Sequence, residues 1–208
     1  IAIILLGRPG SGKDTQAELL AKKFGLVKII SSKLIKRALA VNKNKIKIKN
    51  KIYNVEEQRR RQNNGQLVAF SFVAFIVNNE ITKVAEKKQG IIMSGPLRTL
   101  TELKEELPLL KKYYNNRIFI FHVQISPREV YVRNLKRSRK DLPELDTKKV
   151  IKKRLDVFNR YTLPVIKLLK KQKRIIDING EQPIMKIHKD ILKILENLWL
   201  SQSKQKKK

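Results

Sequence analysis

Cysteine is absent from the 208 residues, which excludes a disulfide framework and any cysteine-built zinc site. That fits a reducing compartment. Aromatic residues are scarce, at 6%, and do not interleave with the cations as a stacking platform for bases would. Long apolar runs are missing. The longest, Leu67–Val77, is interrupted by Ser71 and falls far short of the ~20 residues a membrane span needs. Ile1–Leu6 is too short for the core of a secretory leader and runs straight into a glycine loop. The expected setting is therefore cytoplasmic, with no membrane partner and with an initiating segment trimmed ahead of Ile1. Acidic residues are also few: 18 against 48 Lys and Arg, for a formal net charge of +30. Two readings of that excess stay open. One is a polyanion partner such as nucleic acid. The other is a solvated lysine surface, which the even scatter along the chain favours. Charge alone still supplies a non-specific, salt-sensitive affinity for RNA.

What is present is organised from the front. Three of the eight glycines, Gly7, Gly10 and Gly12, stand directly after the apolar run Ile1–Leu6. Lys13, Asp14 and Thr15 follow, and then a helical pattern through Phe24. Strand, glycine loop, lysine and helix in that order form a P-loop. The glycines let successive N–H groups turn inward around phosphate, and the helix adds the positive end of its dipole. Lys13 supplies a mobile cation, and Thr15 a hydroxyl near magnesium. Ser or Thr ordinarily comes directly after the lysine; here Asp14 intervenes.

The rest of the chain alternates strand and helix. Leu26–Ile30, Ile91–Met93, Arg117–Ile125 and Arg174–Ile178 read as strands. Between them, helices are expected from Ser31 to Leu39, Val55 to Arg61, Gln66 to Lys88, Thr101 to Tyr114, Pro127 to Arg137, Asp146 to about Leu163 with a continuation to Lys171, and Gln182 to Leu200. Asn42–Lys51, alternating Lys, Asn and Ile, reads as an exposed edge strand or a mobile basic loop, with loop or frayed helix the preferred reading. Residues 201–208 are expected to form a disordered basic tail. The alternation implies an α/β fold, a parallel sheet flanked by helices, with the ligand at the carboxyl ends of the strands. The P-loop, Ser31-Ser32 and Ser94–Arg98 all follow strands and gather there.

With these pieces in order, the chain resembles the adenylate kinases and their relatives among the nucleoside monophosphate kinases. GRPGSGKDTQ is similar to that family's G-x-P-G-x-G-K-G-T-Q. Ser31-Ser32…Arg37 resembles its S-T-G-D-x-x-R, Gly65-Gln66-Leu67-Val68 its G-x-L-V, and Gly95-Pro96-Leu97-Arg98-Thr99 its G-F-P-R-T. Arg133 and Arg137 match the arginines entering the lid, and Arg154-Leu155 the helix leaving it. The resemblance runs over Ile1–Leu195. It implies a P-loop NTPase-type core (1–30, 90–136 and 147–200), a helical insertion of about 31–67 that binds the monophosphate, and a short lid of about 137–146. The lid has no Cys or His, so zinc is not expected there.

The resemblance further implies reversible transfer of the γ-phosphoryl group of ATP to a nucleoside monophosphate, with Mg²⁺ as cofactor, by a monomer. Lys13, Arg98, Arg133, Arg137, Arg139 and Arg154 would form the cationic clamp. Gly7, Gly10, Ser11, Gly12, Lys13, Asp14, Thr15, Arg133, Arg137 and Gln182 would hold ATP. Ser32, Arg37, Gln66, Leu67, Val68, Gly95, Arg98, Glu102, Arg139 and Arg154 would hold the monophosphate. Three departures stand out. Ser94 replaces an Asp that orders magnesium's waters, while Asp14 replaces a Gly. Either Asp14 stands in for the missing carboxylate beside Thr15, or it caps the helix or faces solvent. Leu34 replaces an Asp. Glu102 replaces a Gln that reads adenine. Ionised Glu only accepts hydrogen bonds, which suits the two donors of guanine better than the donor and acceptor of adenine. AMP, GMP or a deoxynucleotide therefore all remain candidates, and a plain surface charge at Glu102 is the alternative. A non-catalytic ATP-binding protein with an RNA-binding surface is the competing reading for the whole chain. His122, in a buried strand, reads as a core or rim histidine.

Overall fold

The apolar run at the front of the chain becomes β1 (Ala2–Leu6), buried along its whole length in the middle of the sheet. It is apolar at every position because both of its faces are covered. In the computed structural model, which describes residues 1–40, 44–48, 50–136 and 146–205 with side chains to Leu198, four more strands join it. They are β2 (Val27–Ile30), β5 (Ile91–Ser94), β6 (Ile118–Gln124) and β7 (Ile176–Asn179), in the spatial order β2-β5-β1-β6-β7 and all parallel. The register sets Leu5 and Ile30 beside Ser94, and Leu6 beside His122. The strands thus end together at one edge, where the crevice of an open parallel sheet lies.

Helices cover both faces. Ile3 and Leu5 pack with Ala17 and Leu20 of α1 (Lys13–Phe24) and with Ile187, Ile191 and Leu195 of α9 (Ile184–Gln205). Ile4 and Leu6 pack into a larger core with α4 (Phe70–Glu86), α5 (Leu100–Tyr114) and α8 (Leu163–Lys171). A small third core joins Ile125 and Val130 of α6 (Pro127–Leu135) to Ile151 and Leu155 of α7 (Lys148–Val157). No described helix is long and apolar enough to cross a membrane.

The structure corrects four expectations. The lysine-rich stretch, read as loop or frayed helix in preference to an edge strand, holds an antiparallel hairpin, β3 (Lys45–Ile48) and β4 (Lys51–Asn54). Its Lys–Ile alternation has the period of a strand: Ile48 and Tyr53 are buried while the lysines face out. The segment between α2 (Ser31–Leu39) and α4 is therefore not wholly helical; it holds this hairpin and α3 (Val55–Asn63). The long helix expected from Gln66 starts only at Phe70, because Gln58 Oε1 takes the Ala69 N–H at 2.9 Å and holds the preceding residues extended. The helix expected over 146–163 is interrupted by a π turn, Phe158–Thr162, in which the Leu163 N–H reaches back to the Phe158 carbonyl. Pro164, which has no N–H to offer, sits in the first turn of α8 beyond it. Finally, α9 is helical to Gln205, into the stretch expected to be disordered. Residues 137–145, most of the expected lid, and 206–208 lie outside the described residues.

Leu110, fully buried on α5 in the larger core, provides a test of that packing. Leu110→Ala should lower stability by about 2–5 kcal/mol, read as a lower urea midpoint with an unchanged slope.

Candidate active site

The glycine loop is shaped by what surrounds it. Gly7 has φ +151 and Gly10 φ +78. A Cβ on Gly7 would stand 2.4 Å from the Val123 carbonyl oxygen, and one on Gly10 2.4 Å from Asn134 Nδ2. The loop is thus wedged between the end of β6 and α6, and a side chain has no room at either point. Ser11 is fully buried under it. Lys13 Nζ folds back over the loop, donating to the Arg8 carbonyl at 2.8 Å and to Ser11 Oγ at 3.1 Å. Arg8 itself leaves the loop sideways: Nη1 donates to the Ile125 carbonyl, and the guanidinium lies 5.5 Å from the Phe158 ring centroid.

Asp14 opens α1, where the helix dipole favours a carboxylate. It is exposed there, and Ser94 Oγ donates to its Oδ1 at 2.6 Å. The two residues that depart from the family pattern are therefore partners across the crevice. Thr15, one position on, also lines it. Among the described residues no group of three or more His, Cys, Asp or Glu is arranged to hold a metal. Mg²⁺ does not need one, since it keeps waters and takes one or two protein oxygens beside nucleotide phosphates. The carboxylate of Asp14 and the hydroxyl of Thr15 are oxygen donors of that kind.

The turn after β5 is the second strained feature. Leu97 is fully buried with φ +53, a conformation that non-glycine residues seldom adopt. Two carboxylates of α5 hold it. The Leu97 N–H donates to Glu106 Oε2 at 3.2 Å and the Arg98 N–H to Glu102 Oε2 at 2.8 Å. Arg98 Nε donates to the Gly95 carbonyl at 2.8 Å, and Thr99 caps α5 by accepting the Glu102 N–H. Glu102 is 1% exposed and Glu106 fully buried, so neither is a surface charge. Burial pushes the Glu102 carboxyl up to about 7, against the lowering pull of the Arg98 N–H and guanidinium. Burial, reinforced by the charge of Glu102, pushes Glu106 well above the usual carboxylate range.

A cavity of about 790 Å³ opens over the strand ends, within the range of sites that bury small molecules. Its lining includes Gly7, Gly10, Gly12 and Lys13 from the loop, with Asp14 and Thr15 behind them. Ser32 of α2, the extended Gln66, Leu67 and Val68, and Gly95, Arg98 and Glu102 also contribute. Arg133, Arg154 and Gln182 complete the expected set. Arg154 Nη1 donates to Asn134 Oδ1 at 3.3 Å, and Asn134 Nδ2 in turn to the Pro9 carbonyl at 3.3 Å, tying α7 to the loop. Arg133 Nε is held by Glu129 at 2.6 Å. Gln182 Nε2 donates to the Asn179 carbonyl and to Asp190 Oδ2, both at 3.0 Å.

Two of the expected residues that are described do not join the cavity lining. Ser11 lies below the loop, and Arg37 is exposed on α2 while its neighbour Lys36 takes the place in the lining. Arg137 and Arg139 lie outside the described residues. His122 is buried beside the crevice with Nδ1 3.0 Å from Asp177 Oδ1, and burial holds its pKa down. Arg8, Asn134 and Glu106 carry no motif. Glu106 is visible in hindsight only as a second acid one helical turn beyond Glu102, on the stripe that ends at Leu110.

A P-loop, six cations and a second wall with a buried carboxyl in one crevice suit the transfer of charged phosphoryl groups. The family model described as adenylate kinase matches residues 5–174 of this chain. The chain belongs to the adenylate kinase family. An adenylate kinase of Azobacteroides pseudotrichonymphae is 29% identical over 94% of this chain and 97% of its own length. One of Leptospira biflexa is 27% identical over 92% and 97%, and adenylate kinase 1 of a Nostoc species 29% over 86% and 90%. The protein is a phosphotransferase with the nucleotide-binding, parallel-sheet fold of adenylate kinases.

The two buried acids predict a pH dependence of stability. Their folded pKa values lie above the unfolded ones, so the native state binds more protons and loses stability as pH rises through and beyond the ordinary carboxylate range. Glu106→Gln keeps an acceptor for Leu97 without the charge. Its unfolding free energy should match wild type near pH 4 and exceed it at pH 8, as read by urea unfolding at both values.

Proposed function

We propose that the protein catalyses reversible, Mg²⁺-dependent transfer of the γ-phosphoryl group of ATP to AMP, giving ADP. The observation that carries this reading is the single cavity that holds both the glycine loop and the Glu102 wall. Residues 31–67 would form the monophosphate-binding insertion, 137–146 the lid, and the remainder the core. In this reading Gly7, Gly10, Ser11 and Gly12 shape the donor cradle, Lys13 moves off the Arg8 carbonyl onto the phosphates, and Gln182 borders the adenine. Ser32, the backbone of Gln66–Val68, Gly95, Arg98 and Glu102 hold the acceptor. Arg133 and Arg154, with Arg137 and Arg139, spread their donors over the transferred group, whose negative charge lies on its peripheral oxygens. An oxygen of the acceptor phosphate forms the new bond to phosphorus as the bond to the β,γ-bridging oxygen breaks. Asp14 and Thr15 would hold Mg²⁺, which neutralises phosphate charge when bound.

Glu102 bears on the acceptor. A carboxyl with its pKa near neutrality keeps its proton in much of the population, and the neutral form offers both a donor and an acceptor. That pair is what the adenine edge needs, which favours AMP.

ADP formation should be followed with AMP, GMP, CMP, UMP and dTMP, with and without Mg²⁺. AMP is expected to be phosphorylated fastest at pH 6.5, and only with the metal; no transfer to any monophosphate would sink the proposal. Asp14→Gly should abolish Mg²⁺-dependent turnover, and unchanged kinetics would remove Asp14 from the metal site. Arg154→Lys loses the planar fork that pairs with phosphate. It should lower kcat by about 10²-fold or more, given the ~10³–10⁵ that such an arginine supplies elsewhere.

A further inference from the structure

Glu102 and Glu106 differ in what surrounds them. Both accept one backbone N–H of the Leu97–Arg98 turn through Oε2. Glu106 is sealed in the core, and its Oε1 has no hydrogen-bond partner. An ionised carboxylate in that position would be left bare, so Glu106 is the acid that keeps its proton. Glu102 borders the cavity and is the member of the pair that a ligand can reach. The charged groups acting on the pair are Arg98 on the preceding turn and, on α5 itself, Glu105. The buried residues that α4 and α8 bring to the core shared with α5 are apolar: Val73, Val77 and Ile81 from one, Val165, Ile166 and Leu169 from the other. The charged residues that share the cavity lining with Glu102 are Lys13, Asp14, Lys33, Lys36, Arg98, Arg133 and Arg154.

One oxygen of Glu102 is thus fixed on the Arg98 N–H, and the protonation of the carboxyl decides what it can offer to a base. Neutral, it donates from O–H and accepts at C=O, which complements the ring nitrogen and amino group of adenine. Ionised, it only accepts, which complements the two neighbouring N–H donors of guanine. We propose that Glu102 is a proton-dependent reader of the acceptor base, selecting adenine when neutral and guanine when ionised. This rests on the monophosphate-kinase reading above. The burial that brings its pKa to about 7 sets the exchange near physiological pH.

The test is the ratio of kcat/KM for AMP to that for GMP, at saturating ATP, between pH 6 and pH 8.5. The ratio cancels titration of the phosphates and of the shared cationic clamp. In wild type it should fall by up to about 300-fold across that range, as the neutral form gives way to the ionised one around a pKa of about 7. In Glu102→Gln, where donor and acceptor are permanent, it should favour AMP and stay flat. A flat ratio in wild type, or the same fall in Glu102→Gln, overturns the inference while leaving the kinase reading intact. Calorimetry of wild type alone gives a second reading that needs no variant. At pH 7, in buffers of different ionisation enthalpy, AMP binding should take up more protons than GMP binding. Equal proton counts overturn the inference, and no binding of either nucleotide overturns both readings.

Discussion

The structure depends on a backbone that has no room for side chains. The loop from Gly7 to Gly10 passes so close to the Val123 carbonyl and the Asn134 amide that a Cβ on either glycine would clash at 2.4 Å. That squeeze sets where β1 ends, hence where α1 begins, hence where Lys13, Asp14 and Thr15 stand over the crevice. It also recruits α6, because Asn134 can reach the Pro9 carbonyl and Arg154 only while the loop stays this close. A single contact between a loop and its neighbours thereby orients groups drawn from both ends of the chain.

Acids are the scarce resource of this protein, and the few near the crevice are placed with purpose. Asp14 is bound by Ser94, and Glu102 and Glu106 hold a strained turn. The cations, by contrast, are abundant; what the fold does is to hold a few of them by hydrogen bonds. Arg98 is tied to Gly95, Arg133 to Glu129 and Arg154 to Asn134. Fixing a guanidinium before its anion arrives reduces the ordering that binding must supply.

Much of this was readable from the chain itself. The strand, glycine loop and helix at the front, and the gathering of post-strand segments at one edge, followed from local pattern. The hairpin at Lys45–Asn54 did not, because Lys–Ile alternation reads as a strand only once Ile48 and Tyr53 have a core to enter. Arg37 and Lys36 differ by one position, which on a helix is a rotation of about 100°; a motif match cannot resolve that, and the packing of Leu34 and Leu39 does. Glu106 was hidden for a different reason. Its partner is the N–H of Leu97, and no residue pattern announces a left-handed leucine.

The π turn at Phe158–Thr162 joins two helices that serve different cores. One more residue per turn offsets the faces on its two sides by about 100° relative to an uninterrupted α-helix. That offset lets Ile151 and Leu155 meet α6 while Val165, Ile166 and Leu169 meet the main core. The segment therefore stores a register in a count of residues. Shortening it by one would restore an ordinary helix with better hydrogen bonds, and it would swing Arg154 off the crevice.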